Sequence, residues 1–345
     1  MAASQEETAM RRALALAAQG PLADPNPRVG CVVLDQAGTV VGEGYHRGAG
    51  TVHAEVDALA AAGPAARGGT AVVTLEPCHH CGRTQPCTAA LLEASVARVV
   101  VGAADPNPLA AGGACYLRAA GVEVECGVLA TESARLNRYW AFSVRTGRPF
   151  VTWKFAATLD GRSAATDGTS RWITGEAARA DVHTRRAEAG AILVGTGTVL
   201  ADDPQLTVRN GEGQLAGRQP LRVVLGRRPV PSTARVLDAS APTLHLDHRD
   251  PAAALAQLHD REIHHVWLEG GPTVAAAFWR AGLVDEVLAY LAPALLGSGP
   301  AAVGALGIDT IAGRARLVPT DVCRLGDDVL VVAHPAQPAQ PAKAT

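Results

Sequence analysis

Apolar and polar residues alternate along the first half of the chain with the periods that distinguish helices from strands. Residues 5–19 carry an amphipathic pattern, closed by Gly20 and Pro21, that predicts a helix. Beyond it, short apolar runs alternate with segments of helical composition, which indicates an α/β layered sheet. The predicted elements are strand 31–35, its hairpin partner 40–46, a helix beginning near 53, strand 71–75, helix 87–94, strand 96–102, helix 109–120, strand 122–126 and helix 131–142.

The second half also alternates strands with helices, which predicts another α/β domain. Thr174 is expected to cap the helix that follows it. No G-x-G-x-x-G pattern occurs, so the sequence does not support a standard Rossmann half. The glycines before Pro272 would let a phosphate approach backbone N–H groups at a helix start. The predicted elements are a strand running into a turn at 150–162, a buried strand at 191–195 followed by a Gly/Thr loop and an Asp-Asp-Pro turn, strand 221–225, and a strand, glycine turn and helix over 264–280.

Length and composition indicate two domains. At 345 residues the chain exceeds one typical domain, and 48% hydrophobic residues supply a sizeable core. We expect domains at 1–146 and 147–334, followed by a disordered Pro/Ala/Gln tail at 335–345. A net charge of −2 gives no electrostatic case for a nucleic-acid partner. An odd number of cysteines, no recognisable secretory leader and no long apolar run lead us to expect a cytoplasmic protein without a membrane partner.

The chemistry of the first half is concentrated between His53 and Cys87. The chain reads H-A-E at 53–55, L-E-P-C at 75–78 and then H-H-C-G-R-T-Q-P-C, the pattern of zinc-dependent deaminases that act on nucleobases. One imidazole and two thiolates would hold zinc in three positions and leave the fourth for water. Zinc lowers the pKa of that water. Glu55 is not a ligand in this pattern, and we expect it to transfer protons as a general acid and base.

The spacing of the cysteines leaves the third zinc ligand open. Cys78 and Cys81 have the P-C-x-x-C spacing of the general deaminase pattern. Cys87 lies further along, where it opens a predicted helix, and a helix N-terminus favours a thiolate. Both Cys81 and Cys87 therefore stand as candidates from the residues alone.

The motifs of the first half resemble the deaminase half of the bifunctional riboflavin-biosynthesis deaminase/reductase family. They are D-P-N-P-R-V-G at 24–30, H-A-E-V-D-A-L at 53–59 and the run from 75 to 87. The resemblance implies a cytidine-deaminase-like three-layer domain, with His53, Cys78 and Cys87 on zinc and Cys81 as the rival ligand or a spare thiol. It also makes Asn26 and His46 possible contacts to a pyrimidine.

The second half resembles the reductase half of the same family, whose fold is similar to dihydrofolate reductase and whose cofactor is NADPH. The resemblance rests on W-K-F-A-A-T-L-D-G-R, S-R-W-I-T, G-T-G-T-V-L-A-D-D-P-Q-L-T-V-R and L-E-G-G-P-T. It implies that the cofactor contacts Ala156, Trp172, Thr198, Asp202, Gly271, Pro272 and Thr273. It implies that the sugar-phosphate substrate contacts Ser170, Arg186, Leu206, Arg209 and Glu269. For the two arginines this agrees with the bidentate grip of a guanidinium on phosphate.

The expected function follows from both halves. The first would hydrolyse an amine from 2,5-diamino-6-(5-phosphoribosylamino)pyrimidin-4-one, and the second would reduce the ribosyl group to a ribityl chain. We expect a homo-oligomer acting on this small phosphorylated pyrimidine. Two alternatives are a deaminase of tRNA or DNA bases, which would need a basic and aromatic surface, and a structural zinc module with four closed ligands.

Overall fold

The computed structural model describes residues 4–80 and 85–336. The chain divides into two compact units, Met1–Gly147 and Arg148–Thr345. Most of the predicted tail and Cys81 lie outside the described residues. Pro335, the first residue of the predicted tail, is instead paired with Leu317 at the end of a strand. Among the described residues, no helix is long and apolar enough to cross a membrane.

The first unit is built on a five-stranded sheet with the strand order β2-β1-β3-β4-β5. The first two pairs in that order are antiparallel, and β3, β4 and β5 are parallel. Its strands are β1 (Gly30–Leu34), β2 (Val40–Tyr45), β3 (Thr70–Leu75), β4 (Arg98–Ala103) and β5 (Glu123–Cys126). Its helices are α1 (Gln5–Ala17), α2 (Ala54–Ala62), α3 (Cys87–Glu93), α4 (Gly113–Ala119), α5 (Ala130–Leu136) and α6 (Arg138–Thr146), with a 3-10 turn at Gly63–Ala66.

Helices cover both faces of this sheet, and successive strand residues serve opposite faces. On β1, Val32 faces α1, where it meets Met10 and Leu16. Its neighbours Cys31 and Val33 face the other side, which α2, α3 and α4 cover with alanine and leucine side chains. The result is the three-layer α/β/α domain that the resemblance implied.

The second unit contains an eight-stranded mixed sheet with the order β12-β13-β11-β6-β10-β7-β8-β9. The strands from β11 to β9 in that order are parallel, and β13 and β12 form an antiparallel hairpin at one edge. Its strands are β6 (Phe150–Thr158), β7 (Ala191–Gly195), β8 (Leu221–Leu225), β9 (Thr243–Leu246), β10 (His265–Leu268), β11 (Glu286–Ala292), β12 (Leu317–Leu325) and β13 (Asp328–Pro335). Its helices are α7 (Glu176–Ala187), α8 (Thr196–Asp202), α9 (Pro251–His259) and α10 (Pro272–Arg280), with 3-10 turns at Arg235–Leu237 and Ile311–Gly313.

The second sheet is also covered on both faces. Side chains of α9 and α10, including Leu255 and Phe278, pack on one face. The other face carries Val182 of α7 and Val199 of α8 against Trp267 of β10. Strands buried on both faces are nearly all apolar, which is why the 191–195 and 221–225 runs were recognisable as strands.

Several predicted boundaries were wrong. The helix predicted at 131–142 is two helices that meet at Asn137, whose side chain accepts from the N–H of Arg28 at 2.8 Å and donates to its carbonyl at 2.8 Å. The helix predicted from 109 begins at Gly113. Thr174 is not the cap of α7, because Gly175 occupies that position. The Gly/Thr loop predicted after 191–195 is the short helix α8, anchored by buried Val199.

Candidate functional site

Helix α2 brings His53 and Glu55 to one end of the first sheet. His53 is the residue before the helix and Glu55 is in its first turn. The helix is alanine-rich, so it packs closely on β2: a Cβ on Gly44 would lie 2.4 Å from the Ala58 nitrogen. Glu55 is only 4% exposed and thus points into the protein beside His53. Burial raises the pKa of Glu55 to about 7, which suits a carboxyl group that takes up and releases a proton near neutral pH.

Two cysteines approach His53 from different elements. Cys78 lies in the loop after β3, and Cys87 is the first residue of α3. His53 Nδ1 lies 3.1 Å from Cys87 Sγ and 3.6 Å from Cys78 Sγ. The backbone N–H of Cys87 donates to Cys78 Sγ at 3.4 Å. A hydrogen bond from the Cys87 thiol lowers the pKa of Cys78 to about 4, so Cys78 is readily a thiolate.

These three side chains fit a zinc ion. Their ligand atoms all lie within 4.8 Å of one another. Donors on one tetrahedral zinc lie roughly 3.5 Å apart, given metal–ligand bonds of about 2.0–2.3 Å. Within residues 4–80 and 85–336, they form the one group of three His, Cys, Asp or Glu ligands this close. One imidazole and two sulphurs leave a fourth coordination position, the arrangement of catalytic zinc sites.

Asn26 and His46, far apart in sequence, meet beside this cluster. Asn26 Nδ2 lies 3.1 Å from His46 Nε2, and the other ring nitrogen of His46 lies 3.0 Å from the carbonyl oxygen of Val52. The His46 ring centroid is 5.4 Å from that of His53. The two candidate pyrimidine contacts are therefore next to the candidate metal ligands.

Glu76 is a residue of this region whose role the sequence reasoning missed. Its carboxylate accepts from the backbone N–H groups of Asp105 at 3.2 Å, Gly112 at 3.2 Å and Ala114 at 3.0 Å. It therefore joins the loop that carries Cys78 to the loop after β4. In the sequence, Glu76 could have been noticed as a charged residue between an apolar strand and Pro77.

In the second unit, the candidate cofactor residues gather where parallel strands end. Thr198 lies in α8 directly after β7, and Gly271 precedes α10 after β10. The N–H of Gly271 donates to Thr198 Oγ1 at 3.0 Å, so the two loops touch. Pro272 and Thr273 form the first turn of α10. In α/β sheets, ligands bind at this edge, outside the carboxyl ends of the strands.

Arg186 and Glu269, two of the candidate substrate residues, form a largely buried ion pair. Arg186 Nε and Nη2 donate to the two Glu269 oxygens at 2.6 and 2.5 Å, and Arg186 Nη1 donates to the carbonyl of Thr207 at 3.1 Å. Burial opposes the charge on Glu269, but the Arg186 guanidinium outweighs it and lowers the pKa of Glu269 to about 2. The carboxylate therefore occupies one bidentate edge of the guanidinium that the sequence offered for phosphate.

Lys154 of β6 is a second residue that the sequence reasoning missed. Its Nζ lies 5.7 Å from the ring centroid of Tyr290. Burial lowers the pKa of Lys154, while the nearby Glu269 acts in the opposite direction. A lysine whose pKa is lowered by burial can hold or release a proton beside a reacting group. The signal was one lysine inside an otherwise apolar strand, W-K-F-A-A.

Trp172 lies in the segment before α7, against an arginine of that helix. It is 70% exposed, and the Arg179 guanidinium stacks 4.7 Å from its ring centroid. Trp172 lines a cleft of about 580 Å³ together with Ala292 at the end of β11 and Asp328 at the start of β13. The cleft therefore opens at the same edge of the sheet as the glycine turn.

The remaining candidates of the second unit occupy three places. Ala156 lies on β6 opposite Tyr290. Ser170 precedes Arg171, which donates to the carbonyl of Asp202 at 2.7 Å. Leu206 is 5% exposed with a φ of +54°, and it lies in the loop after α8, directly after Gln205.

The first unit has the geometry of a zinc-dependent deaminase, and the second has the strand-end loops of a nucleotide-dependent enzyme. Comparison with known proteins agrees with both assignments. Residues 3–103 match the family model of the cytidine and deoxycytidylate deaminase zinc-binding region. Residues 149–331 match the family model of the RibD C-terminal domain.

Whole-chain relatives identify the family. The chain is 52% identical over 308 residues to the riboflavin biosynthesis protein RibD of Mycobacterium tuberculosis, which covers 89% of this chain and 90% of that protein. The structure of Acinetobacter baumannii RibD has a TM-score of 0.88 and 41% identity, covering 96% of this chain and 99% of that one. The Thermotoga maritima diaminohydroxyphosphoribosylaminopyrimidine deaminase/5-amino-6-(5-phosphoribosylamino)uracil reductase has a TM-score of 0.87 and 35% identity, with coverages of 96% and 99%.

The chain belongs to the RibD family of riboflavin biosynthesis. It is a bifunctional enzyme in which a zinc-dependent deaminase precedes an NADPH-dependent reductase, and it acts on a phosphorylated pyrimidine. The resemblance stated from sequence, the fold class, the two activities and the two cofactors are confirmed.

Proposed function

We propose that the first unit hydrolyses one amine of 2,5-diamino-6-(5-phosphoribosylamino)pyrimidin-4-one, and that the second reduces the ribosyl group of the product to a ribityl chain. The observation that carries the proposal is the His53, Cys78 and Cys87 cluster beside the buried carboxyl of Glu55. The two activities in the name of the Thermotoga maritima relative support the same substrates.

In the deaminase reaction, His53, Cys78 and Cys87 hold the zinc ion. When bound, zinc supplies a water of lowered pKa that can attack the ring carbon bearing the amine. Glu55 takes the proton of that water and passes it to the departing amine, because its raised pKa allows both transfers near neutral pH. We assign the orientation of the pyrimidine to Asn26 and His46, because these two polar side chains lie together next to the metal ligand His53.

In the reductase reaction, Ala156, Trp172, Thr198, Asp202 and the turn from Gly271 through Pro272 to Thr273 hold the cofactor. NADPH supplies the hydride. The N–H groups at the start of α10 suit a cofactor phosphate, since that end of a helix favours anions. This chain orients the sugar against the cofactor, because hydride transfer depends on the geometry of the two reactants.

The substrate of the reductase lies against Ser170, Arg186, Leu206, Arg209 and Glu269. Because Glu269 occupies one edge of Arg186, we assign the phosphate group to Arg209. Arg186 and Glu269 then bind the polar groups of the sugar and pyrimidine, since the contacts to Glu269 and Thr207 use three of the five N–H groups of Arg186 and leave two for the substrate.

We further propose a cytoplasmic homo-oligomer without nucleic-acid or membrane partners. The net charge of −2 supports the first exclusion. The free cysteines of the described chain agree with a reducing compartment. Self-association is supported by the edge strand β12, which exposes Leu317, Val318 and Val322 by 41%, 54% and 61%. In the part of the chain that the structure describes, the candidate zinc cluster has three ligands, which supports catalysis over a closed structural site, and zinc retention in Cys81→Ser tests the fourth ligand of that alternative.

A coupled assay tests the proposal, with ammonia and NADPH followed separately after the diaminopyrimidine ribotide is added to zinc-loaded protein. Glu55→Gln should lower ammonia release about a thousandfold, because it removes the group that transfers the proton. Zinc content should stay at one ion per chain, and reduction of previously deaminated substrate should continue. Glu93→Gln, the same change on an exposed residue of α3, is the control. Ammonia release near the wild-type rate in Glu55→Gln would refute the assignment.

A further inference from the structure

Arg222 of the second unit is a fully buried arginine that ties two loop segments to the sheet. It lies on β8 and is 0% exposed. Its Nη1 donates to Asp238 Oδ1 at 2.8 Å and to the carbonyl of Gln205 at 3.3 Å. Its Nη2 donates to the carbonyl of Asp238 at 2.5 Å. A buried guanidinium requires such partners, so Arg222 fixes the two segments that carry Gln205 and Asp238 relative to the sheet.

The side-chain amide of Gln205 is held at both ends. Its Nε2 donates to Asp238 Oδ2 at 2.7 Å, and its Oε1 accepts from Arg209 Nη2 at 2.7 Å. A carboxylate oxygen can only accept and a guanidinium can only donate. The two partners therefore select one orientation of the amide, with its oxygen directed to Arg209.

Arg209 is held from a second side as well. Its Nη1 donates to the carbonyl of Gly213 at 2.7 Å, and its backbone N–H donates to His183 Nδ1 at 3.3 Å. Both terminal nitrogens of this half-buried guanidinium thus have a neutral acceptor, and its full positive charge remains for an anion. Arg186, by contrast, already has a carboxylate partner.

We propose that Gln205 is a positioning residue for the sugar-phosphate substrate of the reductase. It orients the Arg209 guanidinium, and its own amide is held by Asp238, which pairs with the buried Arg222. The proposal rests on the phosphate-binding role of Arg209 given above. Gln205 itself does not touch the substrate. Holding a flexible cationic side chain in its binding geometry lowers the entropy lost on binding, so the effect is on substrate affinity.

The experiment measures steady-state reduction of deaminated substrate by the full-length enzyme. Gln205→Met keeps the size of the side chain and removes the hydrogen bonds to Arg209 and Asp238, together with the longer ones to Ser240 and Arg235 at 3.4 Å. The KM for the phosphorylated substrate should rise about tenfold, a ratio that corresponds to about 1.4 kcal/mol. The KM for NADPH and kcat should stay within about twofold. Gln257→Met is the matched control, since Gln257 is also half-buried in the same unit but contacts His248.

A double-mutant cycle separates positioning from general destabilisation. Arg209→Ala should raise the same KM more than Gln205→Met does, and adding Gln205→Met to Arg209→Ala should change it little further, because the two residues act through one contact. Gln205→Asn, which keeps the amide but is one methylene shorter, should show the same split between KM and kcat and provides a second variant if the methionine protein is unstable.

The results distinguish the role of Gln205 from the phosphate-binding role of Arg209. A raised KM in Arg209→Ala with unchanged kinetics in both Gln205 variants would overturn the role of Gln205 alone. Additive effects in the cycle, or an equal rise in the KM for NADPH, would reduce Gln205 to a structural residue. Unchanged kinetics in Arg209→Ala would instead remove the phosphate site from Arg209 and with it the basis of the inference.

Discussion

At the scale of single residues, the identity of the third zinc ligand depends on where two cysteine sulphurs lie. Spacing left Cys81 and Cys87 open, and the resemblance chose Cys87. In the structure, Cys87 Sγ is 3.1 Å from His53 Nδ1, and the Cys87 backbone also supports Cys78. Cys81 lies outside the described residues, and substitution tests whether it binds zinc.

Cys87→Ser should lose zinc, because a hydroxyl is a poor replacement for a thiolate on this metal. Cys81→Ser should retain one zinc ion per chain and its ammonia release. Metal content after gel filtration, measured by atomic absorption, checks both variants side by side. The opposite pattern of zinc loss would transfer the ligand role to Cys81.

At the scale of elements, the packing of α4 against the loop after β3 supports the zinc cluster. Gly113, the first residue of α4, approaches that loop so closely that a Cβ would lie 1.8 Å from the carbonyl oxygen of Pro77. Pro77 is joined directly to Cys78. Glu76, on the other side of Pro77, accepts from the N–H groups at the start of the same helix. The position of one cysteine ligand is therefore set by a helix that contributes no ligand.

Gly113→Ala should displace Pro77 and Cys78, since a backbone carbonyl cannot yield to an added methyl group without moving its loop. We expect zinc affinity to fall about tenfold, as for other changes to the surroundings of metal ligands, and unfolding free energy to fall by about 1–3 kcal/mol. Competition with a chelator of known affinity measures the first effect, and thermal unfolding measures the second. Gly211→Ala, where an added Cβ meets nothing within 4 Å, is the control. Wild-type zinc affinity in Gly113→Ala would contradict this account.

Local sequence patterns predicted some helices and strands of this protein but not others. Buried strands such as β7 and β8 were predictable because continuous apolar runs are typical of parallel strands covered on both faces. Helix α8 was missed because its glycine and threonines have low helix propensity, and only the burial of Val199 overrides that preference. The break at Asn137 was missed because it depends on hydrogen bonds to Arg28, which lies 109 residues away in sequence.

At the scale of the whole molecule, the edge strand β12 carries the surface on which we base the proposed self-association. Leu317, Val318 and Val322 are its exposed apolar residues, and they are divided between the two faces of the strand. Pro319, Asp321 and the register shift between them disfavour backbone pairing at this edge, so we expect association through the exposed apolar side chains. Sedimentation velocity should therefore give a mass that is a multiple of the single-chain mass, and Val322→Lys should shift it toward the monomer by burying an unpaired charge. Leu237→Lys, which adds the same charge at a 41% exposed residue of a 3-10 turn away from β12, is the control. A monomer mass for the unmodified protein at micromolar concentration would refute the homo-oligomer.

What the sequence determined about this protein can thus be separated from what its tertiary structure decided. The sequence by itself determined the alternation of strands and helices, the zinc chemistry of His53 and its cysteines, and the proton-transfer role expected of Glu55, because residue type and spacing carry that chemistry directly. Only the tertiary structure decided that Cys87 lies beside His53, that Arg186 is paired with Glu269, and that Gln205 joins Arg209 to the Asp238 partner of buried Arg222. Such contacts depend on strand order and side-chain direction, which no local pattern records.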